Sequence, residues 1–146
     1  CWLHRNAGML KLLVQHTLRA AQSEEAGARE LANMAYGAAR SGEGNSLSGL
    51  FAPLAGTAQR RMSGFTAQDL ANTGWAFAMS GQLDTPLFAA LVRPVERCVR
   101  NFTAQNLANT VWAFVSTEYL DTMLFAALAR AAERHLRTRR LNPMNR

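Results

Sequence analysis

Between residues 65 and 78 the apolar positions are Ala67, Leu70, Ala71, Gly74, Trp75, Phe77 and Ala78. At 100° per residue they gather on one broad arc of an α-helix, with Asp69, Asn72, Thr73 and Ala76 on the opposite face. An arc this wide suits a helix packed on a partner and on further helices rather than a lone surface helix. The start of the helix is marked chemically. Thr66 is a good N-cap, Asp69 stands three residues on as a capping-box partner, and Phe65 and Leu70 flank the cap as a hydrophobic staple. A second helix is predicted to follow from Asp84 as N-cap, with Leu83 and Phe88 as staple and Pro86 in the tolerant first turn.

The same pattern returns. Phe65-Thr-Ala-Gln-Asp-Leu-Ala-Asn-Thr-Gly-Trp-Ala-Phe-Ala78 is echoed by Phe102-Thr-Ala-Gln-Asn-Leu-Ala-Asn-Thr-Val-Trp-Ala-Phe-Val115, 37 residues later. The register holds through the second helix: Asp84-Thr85 returns as Asp121-Thr122, Leu87-Phe88 as Leu124-Phe125, and Glu96-Arg97 as Glu133-Arg134. Thr103, Asn106, Phe102 and Leu107 repeat the first cap, and Asp121, Leu120 and Phe125 the second. A weaker copy precedes them, with Leu31-Ala-Asn33 and Tyr36 matching Leu70-Ala-Asn72 and Trp75 at an offset of 39. The extra length falls in Gly42-Glu-Gly-Asn-Ser46, a loop by composition. Met9–Ala21 has the spacing of a second helix from yet another unit, and Cys1-Trp2-Leu3 is placed at the tail of its first helix.

A period of this length signals a helical repeat whose units bury a continuous core by stacking. The expected fold is therefore all-α: an α-α solenoid, a right-handed superhelix of helix pairs with a period of about 37 residues. The chain is read as a single array over 1–146, with a partial unit at 1–25, a degenerate unit at 26–64, units at 65–101 and 102–140, and a tail at 141–146. Two prolines disturb the pattern. Pro94 is expected to kink its helix, and Pro53 to delay the start of the second helix in the degenerate unit.

Composition narrows the function. Apolar residues make up 49% of the 146-residue chain and charged residues 18%, the balance of a globular protein. No apolar run approaches the roughly 20 residues that cross a bilayer, so no membrane insertion is expected. The two cysteines, Cys1 and Cys98, form no disulfide framework, and His4, His16 and His135 share no ligand spacing with them, so no metal site or cofactor is expected. With no Gly-rich phosphate loop and no nucleophile beside a histidine, the chain is not expected to be an enzyme. The net charge of +6 comes from fifteen arginines and a single lysine, Lys11. Arginine grips phosphate bidentately and stacks on planar groups, although a GC-rich genome would give the same bias. The chain starts without an initiator methionine and ends without a clean stop, which reads as cuts through a longer protein or the limits of an ordered region. A targeting segment is not visible in it.

The block Phe-Thr-Ala-Gln-Asx-Leu-Ala-Asn-Thr-x-Trp-Ala-Phe resembles the octotricopeptide repeats of algal and protist organelles, relatives of the pentatricopeptide repeats that often accompany RAP and FAST-kinase-like domains. The resemblance covers roughly residues 26–137. It implies a solenoid that binds single-stranded or ribosomal RNA in a mitochondrion or plastid, serving RNA processing, stability, translation or ribosome assembly. The alternative is a scaffold that grips proteins inside a large organellar assembly such as a ribosome. In the degenerate unit Met34, Tyr36, Gly37 and Ala39 stand where Thr73, Trp75, Ala76 and Ala78 stand in the next, and the proline-rich motif many such repeats carry is absent.

If first helices line the concave surface, as the resemblance implies, the base-facing candidates are Glu30 and Asn33; Asp69, Asn72 and Thr73; and Asn106, Asn109 and Thr110. For Asp69 and its equivalents a capping role competes with base contact. For the asparagines, hydrogen bonding to the backbone of the adjacent unit competes. Tyr36, Trp75 and Trp112 lie on the apolar arc and are expected in the core. Gln68 and Gln105, with Arg29 ahead of them, border that arc. The second helices carry an arginine ladder: Arg60, Arg97 and Arg134; Arg93 and Arg130; Arg100 and Arg137. A basic stripe repeated along a solenoid would track a phosphate backbone, while arginines near helix C-termini also complement the helix dipole without any ligand.

Overall fold

The computed structural model describes residues 7–23, 27–40, 48–81 and 84–141. Every regular element among them is helical. Seven α-helices pack together: α1 (Ala7–Gln22), α2 (Ala28–Arg40), α3 (Ser48–Arg61), α4 (Ala67–Met79), α5 (Thr85–Cys98), α6 (Ala104–Ser116) and α7 (Thr122–Leu141). Short 3-10 turns, Met62–Gly64 and Val99–Asn101, close α3 and α5. Leu83, the loop Gly42–Ser46 and the Cys1-Trp2-Leu3 segment lie outside the described residues.

The capping residues set the helix starts. The Thr66 hydroxyl accepts from Asp69 N–H at 3.2 Å, and Asp69 Oδ2 accepts from Thr66 N–H at 3.0 Å, which completes the capping box at the start of α4. Thr103 repeats the first half, its hydroxyl accepting from Asn106 N–H at 3.0 Å. Asp84 and Asp121 cap α5 and α7 by accepting from Leu87 N–H at 2.9 Å and Leu124 N–H at 2.8 Å. Each cap satisfies an otherwise orphaned donor, worth about 1 kcal/mol. Pro94 is buried within α5, which runs on through it to Cys98. Two expectations need correction. Leu120 is 73% exposed, so no staple holds the start of α7. Pro53 does not delay α3, which begins at Ser48, 37 residues before the first residue of α5.

The packing follows the sequence period. Helix α4 packs against both α2 and α6, while α1 packs on α3, α3 on α5, and α5 on α7; within units, α2 meets α3, α4 meets α5, and α6 meets α7. Aromatic pairs join the two sets. Phe51 of α3 meets Phe77 of α4 edge-on at 5.2 Å between ring centroids and 82°, and Phe88 of α5 meets Phe114 of α6 at 5.2 Å and 85°. The members of the two pairs stand 37 residues apart, so the same side-chain geometry is built twice. Leu70, Leu87, Leu91, Leu124 and Leu128 fill the core around them.

At Gly74 an added Cβ would lie 3.7 Å from Ala113 Cβ and 3.7 Å from Leu91 Cδ1, an ordinary contact distance. Gly74→Ala should therefore stabilise the fold by about 0.5–1 kcal/mol through helix propensity, read as a higher urea midpoint. A lower midpoint would mean that α4 and α6 are already in closest contact there.

The helices α4 and α6 end alike. Gly81 (φ 66°) follows α4, and Glu118 (φ 57°), 37 residues on, follows α6. After α6, Tyr119 N–H reaches back to Phe114 O at 3.1 Å, the longer bond of a Schellman ending. Glutamate bears a steric cost in that left-handed conformation that glycine does not. Glu118→Gly should raise stability by about 0.5–1 kcal/mol in thermal or urea unfolding; an unchanged midpoint would place the strain elsewhere.

Candidate functional site

The arginine ladder divides once the helices pack. Arg97, at the end of α5, and Arg100, in the turn after it, face Arg130 and Arg134 of α7 across a cleft of about 240 Å³ that is also lined by the buried Val99 and Ala127 and the exposed Met123. This placement follows from the helical period: Arg93 and Arg97 lie on the side of α5 opposite Leu87, Leu91 and Val95, which are buried, and the turn after α5 carries Arg100. All four cleft arginines are exposed. Among the described residues no hydrogen bond or ion pair holds their guanidinium groups. Glu96 shares the cleft and offsets part of its charge. Arg93 and Arg137 are exposed nearby on the same helices, outside the cleft.

Arg60 of α3 occupies the place equivalent to Arg97. Its Nη2 donates to Thr57 Oγ1 at 3.1 Å, and the Thr57 hydroxyl donates to the Pro53 carbonyl at 3.1 Å, so the guanidinium is already oriented. The cleft residues Arg97, Arg100, Arg130 and Arg134 correspond, one unit earlier, to Arg60, Ser63, Arg93 and Arg97. A basic row thus runs over α3, α5 and α7.

The first-helix candidates separate into buried and exposed groups. Thr73 is 1% exposed and its hydroxyl donates to Asp69 O at 2.7 Å; Thr110 is 3% exposed and donates to Asn106 O at 2.8 Å. Both are sealed between neighbouring first helices, and Ala76 and Ala113 lie buried beside them. The expectation that this face looks outward is therefore corrected. It is the face by which α4 packs on α2 and α6 packs on α4. Asp69 is buried with its carboxylate engaged in the capping box, so capping accounts for it. Asn106 is half-buried at the equivalent cap. Glu30 and Asn33 are exposed on α2, and Asn72 and Asn109 are half-buried. Asn109 Oδ1 accepts from Gln105 Nε2 of its own helix at 3.0 Å, so its amide bonds within α6.

Of the three aromatics expected in the core, Trp75 is partly buried and packs against it, whereas Trp112 lies on the outward surface of α6. Tyr36, Trp75 and Trp112 stand three residues after Asn33, Asn72 and Asn109. Tyr36 and Trp75 are half-buried against each other at 5.0 Å between centroids, and Trp112 is 43% exposed. Arg40 lies over the Tyr36 ring, 5.8 Å from its centroid. The signal was legible: these aromatics sit at the edge of the apolar arc, next to Gln68 and Gln105, rather than at its centre.

The two rows point away from the shared core in opposite directions, the amides and aromatics on the first helices and the arginines on the second. Among the described residues there is no cluster of three potential metal-ligating side chains, and no helix is long and apolar enough to cross a membrane. No protein-family model, curated protein or solved structure matches the chain.

Proposed function

We propose that the chain is a right-handed solenoid of helix pairs that binds RNA, with the arginines of the second helices as the phosphate contacts. The observation that carries this reading is the cleft in which Arg97, Arg100, Arg130 and Arg134 converge with their guanidinium groups exposed. Four arginines so placed suit successive phosphates, since each presents a planar fork of donors. The solenoid is supported by the recurrence of the Phe51–Phe77 pair as Phe88–Phe114 and by the chain of contacts from α2 through α4 to α6. Single-stranded or ribosomal RNA of a mitochondrion or plastid is the ligand class that the octotricopeptide resemblance adds. Because the arginines contact backbone and the amide row lies on the other side, binding is expected to discriminate weakly between sequences.

Affinity for an unstructured single-stranded RNA, measured against potassium chloride, tests the proposal. Four phosphate contacts give a log–log slope of about −3. Affinity that is absent at low salt, or a slope near zero, would overturn it. A second reading, a scaffold subunit within a large organellar assembly, is favoured by one observation, the apolar groove beside Trp112.

A further inference from the structure

Helix α4 is covered on both flanks, by α2 and by α6, whereas α6 has α4 on one flank only among the described residues. The uncovered flank of α6 and the end of α7 form a groove of about 620 Å³ lined by Ala104, Ala108, Val111, Trp112, Val115 and Leu136, among others. The α6 positions Ala104, Ala108, Val111, Trp112 and Val115 have their equivalents 37 residues earlier in Ala67, Ala71, Gly74, Trp75 and Ala78 of α4, the helix that α6 itself covers with Ala113 set against Gly74. Ala71 is 1% exposed under that cover, and Ala78 is half-buried; without it Ala108 is exposed and Val115 is 52% exposed. Gly74 points at Ala113, so the corresponding flank of α4 is an established helix–helix interface. The same surface, one unit on, is open.

The wall of the groove also departs from the earlier units. Helices α3 and α5 give way to 3-10 turns that bring Phe65 and Phe102 into the core, but α7 runs unbroken to Leu141. His135 Nε2 lies 2.8 Å from the Phe102 carbonyl oxygen and pins the end of α7 to the chain entering α6. In sequence, Leu141, Asn142 and Pro143 follow Phe102, Thr103 and Ala104 by 39 residues, the interval that separates Leu31-Ala-Asn33 from Leu70-Ala-Asn72. They are an apolar residue, a strong N-cap type and a residue tolerated at the first helical position, in the order that opens a first helix.

From this surface we infer that α6 and the end of α7 are the docking face for one further helix pair of the same kind, stacked in register with its first helix on Ala108, Trp112 and Val115. The inference rests on the repeat half of the function proposed above and is independent of RNA. A second copy of this chain does not fit head to tail. Its α2 would take the place beside α6, and its α1, which already packs on its own α3, would fall on the position held by α7. The occupant brings small side chains and a threonine hydroxyl bonded within its own helix, as Ala113 and Thr110 do where α6 meets α4.

The test is the 146-residue chain lengthened by a tandem copy of residues 102–140, compared with the unextended 146-residue chain by thermal unfolding and by sedimentation. Expected are one cooperative transition with a melting temperature raised by roughly 5 °C or more, because each stacked unit adds an interface to a quasi-one-dimensional array. Val115→Glu, placed in the first copy, should lower the melting temperature of the lengthened chain sharply, and barely move that of the 146-residue chain. Two separate transitions, an unchanged melting temperature, or equal small effects of Val115→Glu in both chains would overturn the docking face alone. A large effect in the 146-residue chain would instead show α6 already covered there and sink the repeat arrangement beneath it. Concentration-dependent dimers of the 146-residue chain that Val115→Glu abolishes would give the face to a second copy and overturn the assignment.

Discussion

A variant with Arg97, Arg100, Arg130 and Arg134 replaced by glutamine is expected to lose most of its RNA affinity at low salt and nearly all of its salt dependence, with its unfolding temperature intact. The parent slope of about −3 corresponds to a roughly 50-fold loss of affinity between 50 and 200 mM salt, released counterions being the source. Removing the four charges removes that term. The fold should not notice, because the four side chains are exposed and bonded to no described residue, and surface changes of this kind usually stay within about 0.5 kcal/mol each. Glutamine keeps much of the apolar stem and a hydrogen-bonding head, so lost charge is separated from lost packing. The measurement is fluorescence anisotropy with a labelled, unstructured RNA over a potassium chloride series. A slope that survives all four replacements would move the RNA to the opposite surface. There Asn33→Ala, Asn72→Ala and Asn109→Ala should then weaken binding; with the arginine surface in use, they leave slope and affinity unchanged.

Phe88→Ala and Phe77→Ala are expected to destabilise the fold by about 3–5 kcal/mol each, the cost of deleting a large ring from a core that closes only partly around the void. Both rings are fully buried, and each is half of an edge-on aromatic pair, so the partner ring loses its contact as well. For a chain of 146 residues that is a large share of the 5–15 kcal/mol typical of domain stability, and urea unfolding would register it as a collapsed midpoint. Trp112→Ala supplies the contrast. Although tryptophan is the larger residue, Trp112 is 43% exposed, and its removal should cost no more than about 1–2 kcal/mol. Equal costs for Phe88→Ala and Trp112→Ala would place Trp112 in a core that this arrangement of helices does not have.

Much of the helical architecture is local and was therefore readable. Thr66, Asp84, Thr103 and Asp121 start helices because a side-chain oxygen three residues before an orphaned N–H needs no distant partner. The 37-residue period likewise carried the core: Phe51 and Phe88, Phe77 and Phe114 share their environments because equivalent sequence meets equivalent neighbours. Capping competes with base contact at Asp69 from sequence alone, and the reciprocal bond with Thr66 settles that competition.

What tertiary structure alone decided is which flank of each helix is covered, and by what. An apolar arc gives the direction of the main core, but α4 meets α2, α5 and α6, and the small or hydroxyl-bearing positions Thr73 and Ala76 look polar or neutral in sequence while lying sealed against a neighbouring helix. Threonine bonded to its own backbone four residues back has no remaining need of water, so burial is cheap and the side chain gives no sign of it in advance. Trp112 moved the other way. Trp75 and Trp112 have closely similar sequence surroundings, yet Trp75 is half-buried beside Tyr36 of α2 while Trp112 is 43% exposed, a difference set by what each helix meets. The arginines are the last case. The ladder was legible residue by residue, but the convergence of Arg97 and Arg100 with Arg130 and Arg134 depends on α5 packing beside α7, and so does their separation from the asparagines on the other side of the core. Spacing along one helix says which residues share a face; only the packing of helices says which faces meet.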